Sequence, residues 1–495
     1  MSEATLLLGG VEQIQRYLTV SPRLKQIRGG SALLVEIERD ADEHLRGRGA
    51  NVGLAAGGRF LACFDDQGMA EECLGWLRRQ YALRAPGARL RAATSPWKAG
   101  EPFADALDRA WRALDRTPEP SEPVFDAPAV LPCDVCRGRP ARATLPKPSG
   151  GQRACVECLA RHKADTRLSD RLKAGSQGPD DQLSALVAML QRLDRLGVLP
   201  GTGTDGTDAR SLPRLDAMSR RARPSGYIGY LAADGNAVGE ALRGIGSIEA
   251  YRDFSGKLDQ ATRTALLGAV EEITREAGEA RRQRLHLLPV LIGGDDLLAF
   301  CSPSLAVPLA VGFARHFQKE TSGLSTQPLG TGVGVVIAHA TTPFGYLDQR
   351  AHRLQGRAKA LSRQDRRSAI AFEILHEAAG DGDDGFGLPA YLVDSPGETL
   401  DATKLLAEAK ALRDSKPPWT RLKRLPEMLQ RSGERGATEY TLLLQPLDDS
   451  QRKPFEKVAA PPEGWRAAGN PPWVQRDGQA DRTPVADLVA LAEVL

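Results

Sequence analysis

Hydrophobic and polar positions follow two rhythms along this chain. Leu287–Ile292 and Leu297–Phe300 are unbroken apolar runs of strand length, and the Gly-Gly-Asp-Asp between them, Gly293 to Asp296, falls at a turn. Apolar runs at 227–233 ("YIGYLAA") and 332–340 ("GVGVVIAHA") predict two more strands, the first ending before Asp234 and the second followed by a helix that reaches Lys359. Gly235 and Gly239 open what reads as a helix after the first of these. Helical spacing marks about 165–200 and 397–435, "PVADLVALAEVL" at 484–495 predicts a terminal helix, and the Gly- and Thr-rich 200–215 reads as a flexible loop. A chain of 495 residues exceeds one hydrophobic core, so about two to four domains are expected.

Asp295 and Asp296 are the first chemical signal. Turn chemistry explains the glycines and tolerates Asp, but two adjacent acids between apolar strands repel each other unless a cation sits there. A hard divalent ion, Mg²⁺ or Mn²⁺, suits carboxylates and substrate phosphates. Asp234, at the carboxyl end of another strand, is read as the third ligand, its alternative role being a helix N-cap.

The same pattern occurs twice. "LAAGGRFLACF" at 54–64 aligns without gaps on "VLIGGDDLLAF" at 290–300, "PFADALDRAWRAL" from Pro102 echoes "PFGYLDQRAHRL" from Pro343, and "IRGGSALL" around Ser31 parallels "YRDFSGKL" around Ser255. Three matches in one order indicate two copies of one domain. In the first copy Arg59 and Phe60 stand where the alignment puts the two aspartates, so that copy cannot hold the metal in the same way.

A strand Asp, a helix and a Gly-Gly-Asp-Asp hairpin in a duplicated domain resemble the large polymerase/cyclase-like subunit of type III CRISPR effector complexes. The resemblance implies an α+β chain with two ferredoxin-like palm domains, a zinc-ribbon insert between them and a C-terminal helical domain. The expected boundaries are 1–125, 126–215, 216–380 and 381–495. It further implies nucleotidyl transfer from ATP to cyclic oligoadenylate, with Asp234, Asp295 and Asp296 as catalytic metal ligands. Nucleotide contacts are expected from Gly235, Asn236, Gly293, Gly294, Ser255 and Lys359, and from Gly30 and Ser31 in the first copy. The implied partners are guide RNA and other effector subunits, with target RNA as activator. A self-standing cyclic dinucleotide synthase and a catalytically silent RNA or subunit scaffold are the alternatives. Larger members of the family begin with a nuclease domain marked by an adjacent His-Asp pair; none of the seven histidines here is followed by Asp, so no DNA cleavage by this chain is expected.

Cysteine usage adds a second metal. Cys133 and Cys136, then Cys155 and Cys158, form two C-x-x-C pairs with the layout of a structural zinc ribbon, whereas Cys63, Cys73 and Cys301 stand alone. His162, just beyond, is read as a bystander. The charge balance is nearly even, 66 Lys and Arg against 63 Asp and Glu, so nucleic-acid contact requires a local patch, for which 421–435 is a candidate. No run has the length of a membrane span and no signal-peptide layout opens the chain, which reads as cytoplasmic. "DGDDG" at 381–385 lacks the glycine position and closing Glu of a calcium loop and is read as a solvated turn.

Overall fold

The computed structural model describes residues 4–21, 23–118, 131–146, 151–174, 182–199, 215–278, 282, 284–375, 387–395, 401–425, 433–459, 466–467, 474–475 and 482–495. The loop over 200–214, the acidic 381–385 and residues 426–432 of the basic 421–435 segment lie outside these residues.

The first domain comprises β1 (Ala4–Glu12), α1 (Ile14–Thr19), α2 (Leu24–Gly47), β2 (Asn51–Ala56), β3 (Arg59–Phe64), α3 (Gln67–Arg84), β4 (Arg89–Trp97) and α4 (Phe103–Asp115). Its sheet runs β2-β3-β1-β4, and every neighbouring pair is antiparallel. This is the ferredoxin-like order. Strand alternation decides the layers: Leu7, Phe60 and Ala62 point into a core shared with α2 and α3, whereas Leu6, Leu8 and Leu61 point to the opposite face and meet Phe103 and Leu107 of α4.

An insert follows, with the short ladder β5 (Ala143–Thr144) and β6 (Arg153–Ala154), then α5 (Val156–Ala174) and α6 (Gln182–Arg195). Helix α5 lies along α2. Their contact is so close that a Cβ on Gly29 would come within 1.9 Å of the Arg161 carbonyl oxygen. Arg28 and Asp165 form a buried ion pair across this seam at 2.8 Å.

After α7 (Leu215–Arg221), the second domain contains β7 (Tyr227–Asn236), α8 (Val238–Arg243), α9 (Ile248–Glu276), β8 (Leu287–Gly293), β9 (Asp296–Cys301), α10 (Pro303–Glu320), β10 (Gly330–His339), α11 (Phe344–Asp365), β11 (Ala369–Ile374) and β12 (Tyr391–Leu392). The sheet order is β12-β11-β10-β7-β9-β8, so its last four strands repeat the order of the first domain. The duplication expected from the sequence is therefore present in the topology. Helices cover both faces, which is why β7 and β10 are almost wholly buried and read as continuous apolar runs. Tyr230, Phe300 and Phe344 pack with ring centroids 4.9 to 5.4 Å apart and lock β7, β9 and α11 together.

Each palm leans on the other. The start of α9 packs on β2, with Ile248 so close to Gly53 that a Cβ there would lie 2.7 Å from Cγ1. Arg252 donates to the Val52 carbonyl at 2.5 Å, and Ile248 and Tyr251 join the core on the α4 side of the first sheet. Reciprocally, Arg28, Ser31 and Ala32 of α2 border a small cavity with Leu288, Pro289 and Val290 of β8.

The C-terminal part is mainly helical, with α12 (Ala402–Asp414), α13 (Trp419–Leu422), α14 (Gly433–Leu444), α15 (Asp449–Val458) and α16 (Pro484–Val494) beside a two-stranded ladder at Arg466–Ala467 and Val474–Gln475. The boundary expected at 381 falls early, because β12 at 391–392 pairs with β11 and extends the second palm's sheet. Asp487 of α16 accepts from the Tyr391 hydroxyl and the Leu388 N–H, tying the terminal helix to that edge. Among the described residues no helix is long and apolar enough to cross a membrane.

Candidate active site

Three carboxylates meet where β7 passes the β8–β9 hairpin. Strand β7 is paired with β9 as far as Ala233↔Leu297, but its pairing with β10 continues to Asn236↔Gly330. Asp234 therefore lies within the strand, and the helix starts at Val238, not at Gly235 as expected. Ala237 makes the turn between them with φ 64°, a left-handed conformation that few side-chain-bearing residues adopt. Gly235 sits against the hairpin, where a Cβ would come within 2.8 Å of the Asp295 carboxylate. Asn236 is buried and donates to the Ser362 hydroxyl at 2.5 Å.

Helix α9 fixes the acidic turn. Gly293 pairs with Asp296, leaving Gly294 and Asp295 as the turn residues, with Gly294 at φ 60°. Asp259 accepts the Gly294 N–H at 3.1 Å, and the Thr262 hydroxyl donates to the Gly294 carbonyl at 2.6 Å. Asp259 is itself paired with Arg263 at 2.8 Å. Neither Asp259 nor Thr262 was singled out from the sequence, although they follow Ser255 by four and seven residues and so share its helix face.

The first palm's hairpin is offset by one residue. There Ala56 pairs with Arg59 around Gly57 and Gly58, both at positive φ. Hydrogen-bond register thus makes Arg59 the counterpart of Asp296 and Gly58 that of Asp295. This corrects the gapless alignment, which set Arg59 and Phe60 against the two acids. Phe60 is a core residue, fully buried with its ring 6.0 Å from Tyr81. Buried Glu38 plays the bracing part here, accepting the Gly58 N–H at 2.5 Å.

The acids are electrostatically strained. Burial, then the charge of Asp234, pushes Asp295 up to about 6, and Asp234 is also its hydrogen-bond neighbour. Burial, then Asp295 and Asp234, pushes Asp296 up to about 8, against the opposing pull of Arg59 and Lys359. Lys359 Nζ lies 2.6 Å from Asp234 Oδ2, so one acid already has a cation. Lys359 reaches this position because β10 is glycine-rich: a Cβ at Gly332 would meet the Lys359 side chain at 2.5 Å, and one at Gly334 the Ala351 carbonyl at 2.0 Å. Carboxylate oxygens are the hard donors a divalent cation takes, and two of these three acids are held toward the protonated form; among the described residues only the four cysteines of the insert bring three or more ligand atoms within 4.8 Å of one another.

These residues open onto a cleft of about 970 Å³ between the two palms. Asp234, Gly235, Asn236, Ser255, Gly293, Gly294, Asp295, Asp296 and Lys359 all border it. Arg363, one turn beyond Lys359, and Arg366, which caps the end of the helix at φ 52°, extend the cationic rim and were left out by the sequence reading. Neither makes an ion pair among the described residues. Gly30 and Ser31 do not reach the cleft. They lie inside α2, buried against the insert and β8, where small residues allow the helices to approach.

The four cysteines of the insert also converge. Their sulfur atoms all lie within 4.8 Å of one another, with Cys136 and Cys155 Sγ 3.9 Å apart. Tetrahedral thiolate zinc, with Zn–S of about 2.3 Å, needs sulfurs roughly 3.8 Å apart. The cluster could hold zinc. Backbone N–H groups of Val135 and Cys158 point at Cys133 and Cys155 Sγ, each at 3.4 Å. His162 is not part of the group, and Cys63, Cys73 and Cys301 are free thiols.

A twin-palm protein with one acidic and one basic hairpin facing a common cleft is the class these features define. Residues 227–370 match the family model described as Cas10/Cmr2, second palm domain. No curated protein matches the chain. Among solved structures, a chain of the "Csm1-Csm4 cassette in complex with cA4" is similar at a TM-score of 0.60 and 15% identity, covering 100% of this chain and 70% of that one. The cassette "in complex with AMPPNP" matches at 0.56 and 15%, over 88% of this chain and 64% of that one. The "Csm1-Csm4 subcomplex in the type III-A CRISPR-Csm interference complex" matches at 0.53 and 16%, over 91% and 67%. The chain thus spans less than two thirds of the AMPPNP-bound relative. At such identities the likeness speaks for the fold, which is the one the sequence resemblance implied.

Proposed function

We propose that this chain is the palm subunit of a type III CRISPR effector complex and joins ATP molecules into cyclic oligoadenylate. The observation that carries this reading is the trio Asp234, Asp295 and Asp296, drawn from one strand and the neighbouring hairpin of one palm and facing a cleft rimmed by cations. A cleft of about 970 Å³ has room for more than one nucleotide, since ligand sites run from roughly 300 to 1,000 Å³. Similar folds bind AMPPNP and cA4, which supports the same substrate class here.

Asp234, Asp295 and Asp296 would hold Mg²⁺ or Mn²⁺, which when bound neutralises triphosphate charge and acidifies an attacking 3′-hydroxyl. Lys359, Arg363 and Arg366 bind phosphate oxygens along α11. Ser255 offers a hydroxyl from α9, and Gly293 and Gly294 leave the hairpin tip without Cβ atoms where a phosphate approaches. Bracing by Asp259 and Thr262 keeps the acids in place, so that alignment of hydroxyl and α-phosphorus costs little when substrate arrives. The four-cysteine insert, loaded with zinc, stiffens the first palm through α5. Guide RNA, target RNA and neighbouring subunits supply the activating signal.

The test is product analysis by mass spectrometry after incubation with labelled nucleotides and Mg²⁺ or Mn²⁺, with and without the RNA-bound complex. Cyclic oligoadenylate that requires the complex is the expected result, lost in Asp295→Ala with Asp296→Ala while the fold persists. Unaided synthesis of a cyclic dinucleotide marks a self-standing enzyme. No turnover under any condition marks a scaffold.

A further inference from the structure

The acid-free hairpin of the first palm is held as firmly as the acidic one. Gly57 and Gly58 form its turn, and the Gly58 peptide is fixed at each end: its N–H goes to Glu38 Oε1 at 2.5 Å, and its carbonyl accepts the Val11 N–H at 2.7 Å. The Gly57 N–H also favours the Glu38 charge. Glu38 is 2% exposed and makes no ion pair among the described residues. A carboxylate taken out of water without a cation is costly, and here the backbone N–H groups of a left-handed turn are what compensate it.

The arrangement recurs in the second palm with other residues. Glu38 follows Ser31 by seven positions as Thr262 follows Ser255, so the two are counterparts in the duplicated domain. There the task is divided, Asp259 taking the Gly294 N–H and Thr262 its carbonyl. Both sets of braces converge where the palms touch. Gly57 Cα lies 3.9 Å from where a Cβ of Gly293 would stand, and Glu38 is close enough to Asp259 for the two charges to repel. Arg59, the residue after Gly58, bears electrostatically on both Asp295 and Asp296. A shift of the first tip therefore moves the surface against which the Gly-Gly-Asp-Asp tip rests, together with a charge beside its acids.

We infer that Glu38, in the palm whose hairpin has no acids, is a positioning residue for the carboxylates of the other palm: by fixing the Gly58 peptide it sets the face on which Gly293 rests, and so the geometry in which Asp234, Asp295 and Asp296 take a divalent cation. This rests on the reading of the three acids as a cation site. The place of an acceptor oxygen is what counts, not its charge. Loss of a group that orients metal ligands lowers metal affinity about 10- to 100-fold, and Glu38 acts one step further from the ion, so the lower end of that range is expected.

Titration of the full chain with Mn²⁺, followed by loss of the free-ion electron paramagnetic resonance signal well below the melting temperature of each variant, tests this. Glu38→Gln removes the charge but keeps an acceptor in place, and should bind Mn²⁺ as wild type does. Glu38→Asp keeps the charge but withdraws the acceptor by one methylene, and Glu38→Leu removes both; each should bind about 10-fold more weakly. A role confined to stability does not produce this split between Gln and Asp. Unchanged affinity in either Glu38→Asp or Glu38→Leu overturns the assignment and leaves the cation site standing. A loss in Glu38→Gln equal to that in Glu38→Asp overturns it as well, since charge or fold would then be the cause. Asp295→Ala with Asp296→Ala must abolish the binding; if Mn²⁺ still binds, the reading of the acids as a cation site fails and the Glu38 assignment falls with it.

Discussion

Replacing Asp296 with Asn should make the metal-free protein more stable, and more so as pH rises. The folded state raises the Asp296 carboxyl from an ordinary 3.8 to about 8. Between those values the folded chain binds more protons than the unfolded one, so stability falls as pH climbs through the window. At about 1.4 kcal/mol per pH unit the full ionisation penalty would reach roughly 6 kcal/mol in a sealed interior. Asp296 opens onto the cleft, and water there screens part of the cost, leaving about 2 kcal/mol at pH 8 and well under 1 kcal/mol at pH 5. Asn keeps the shape and removes the charge. At about 2 to 4 °C per kcal/mol for a domain of this size, Asp296→Asn should melt about 4 to 8 °C above wild type at pH 8 in chelator, and nearly with it at pH 5. Differential scanning calorimetry with and without Mn²⁺ is the assay. Mn²⁺ should raise the wild-type Tm and leave the variant's almost unmoved. A variant less stable than wild type at pH 8, or equally responsive to Mn²⁺, would refute the account of the acids as a site waiting for a cation.

Buried Glu38, pushed up to about 7 by burial, follows the same sign: Glu38→Gln keeps an acceptor for the Gly58 N–H and should raise Tm at pH 8 but not at pH 5, read by thermal melts across pH. Gly29→Ala forces α2 from α5, since its Cβ would stand 1.9 Å from a backbone oxygen that cannot yield cheaply; a loss of about 1 to 3 kcal/mol is expected in chemical denaturation. Cys155→Ser should release zinc, measured by metal analysis of the purified chain, and lower the Tm, with a chelator giving the same melt in wild type. Lys359→Met removes the cation beside Asp234 and should tighten Mn²⁺ binding while raising the KM for ATP; weaker binding of both would contradict the pairing at 2.6 Å.

Much of the fold was legible because each palm is covered on both faces, so its central strands are unbroken apolar runs and the acids interrupting them stand out. The repeat was visible for the same reason. The one-residue offset of the two hairpins was not, because two Gly-Gly pairs align perfectly as letters while cross-strand hydrogen bonds set the register. Gly30 and Ser31 misled in another way. Gly-Gly-Ser can make a phosphate-binding loop or let two helices touch, and only the neighbouring Arg161 distinguishes these. The helix start was misplaced at Gly235 because strand β10 extends the pairing of β7 beyond what the apolar run suggests. Arg363 was missed although it continues the Lys359 face, since the helix was followed only as far as Lys359.

The reciprocal seating of α9 on β2 and α2 on β8 has an architectural consequence. Neither half can be excised as an independent folding unit: a fragment beginning at the second palm would bare the flank of β8 and strip the start of α9 of its seat around Gly53. The copy whose hairpin carries no acid still forms one wall of the cleft, and truncation from the amino end should yield insoluble protein.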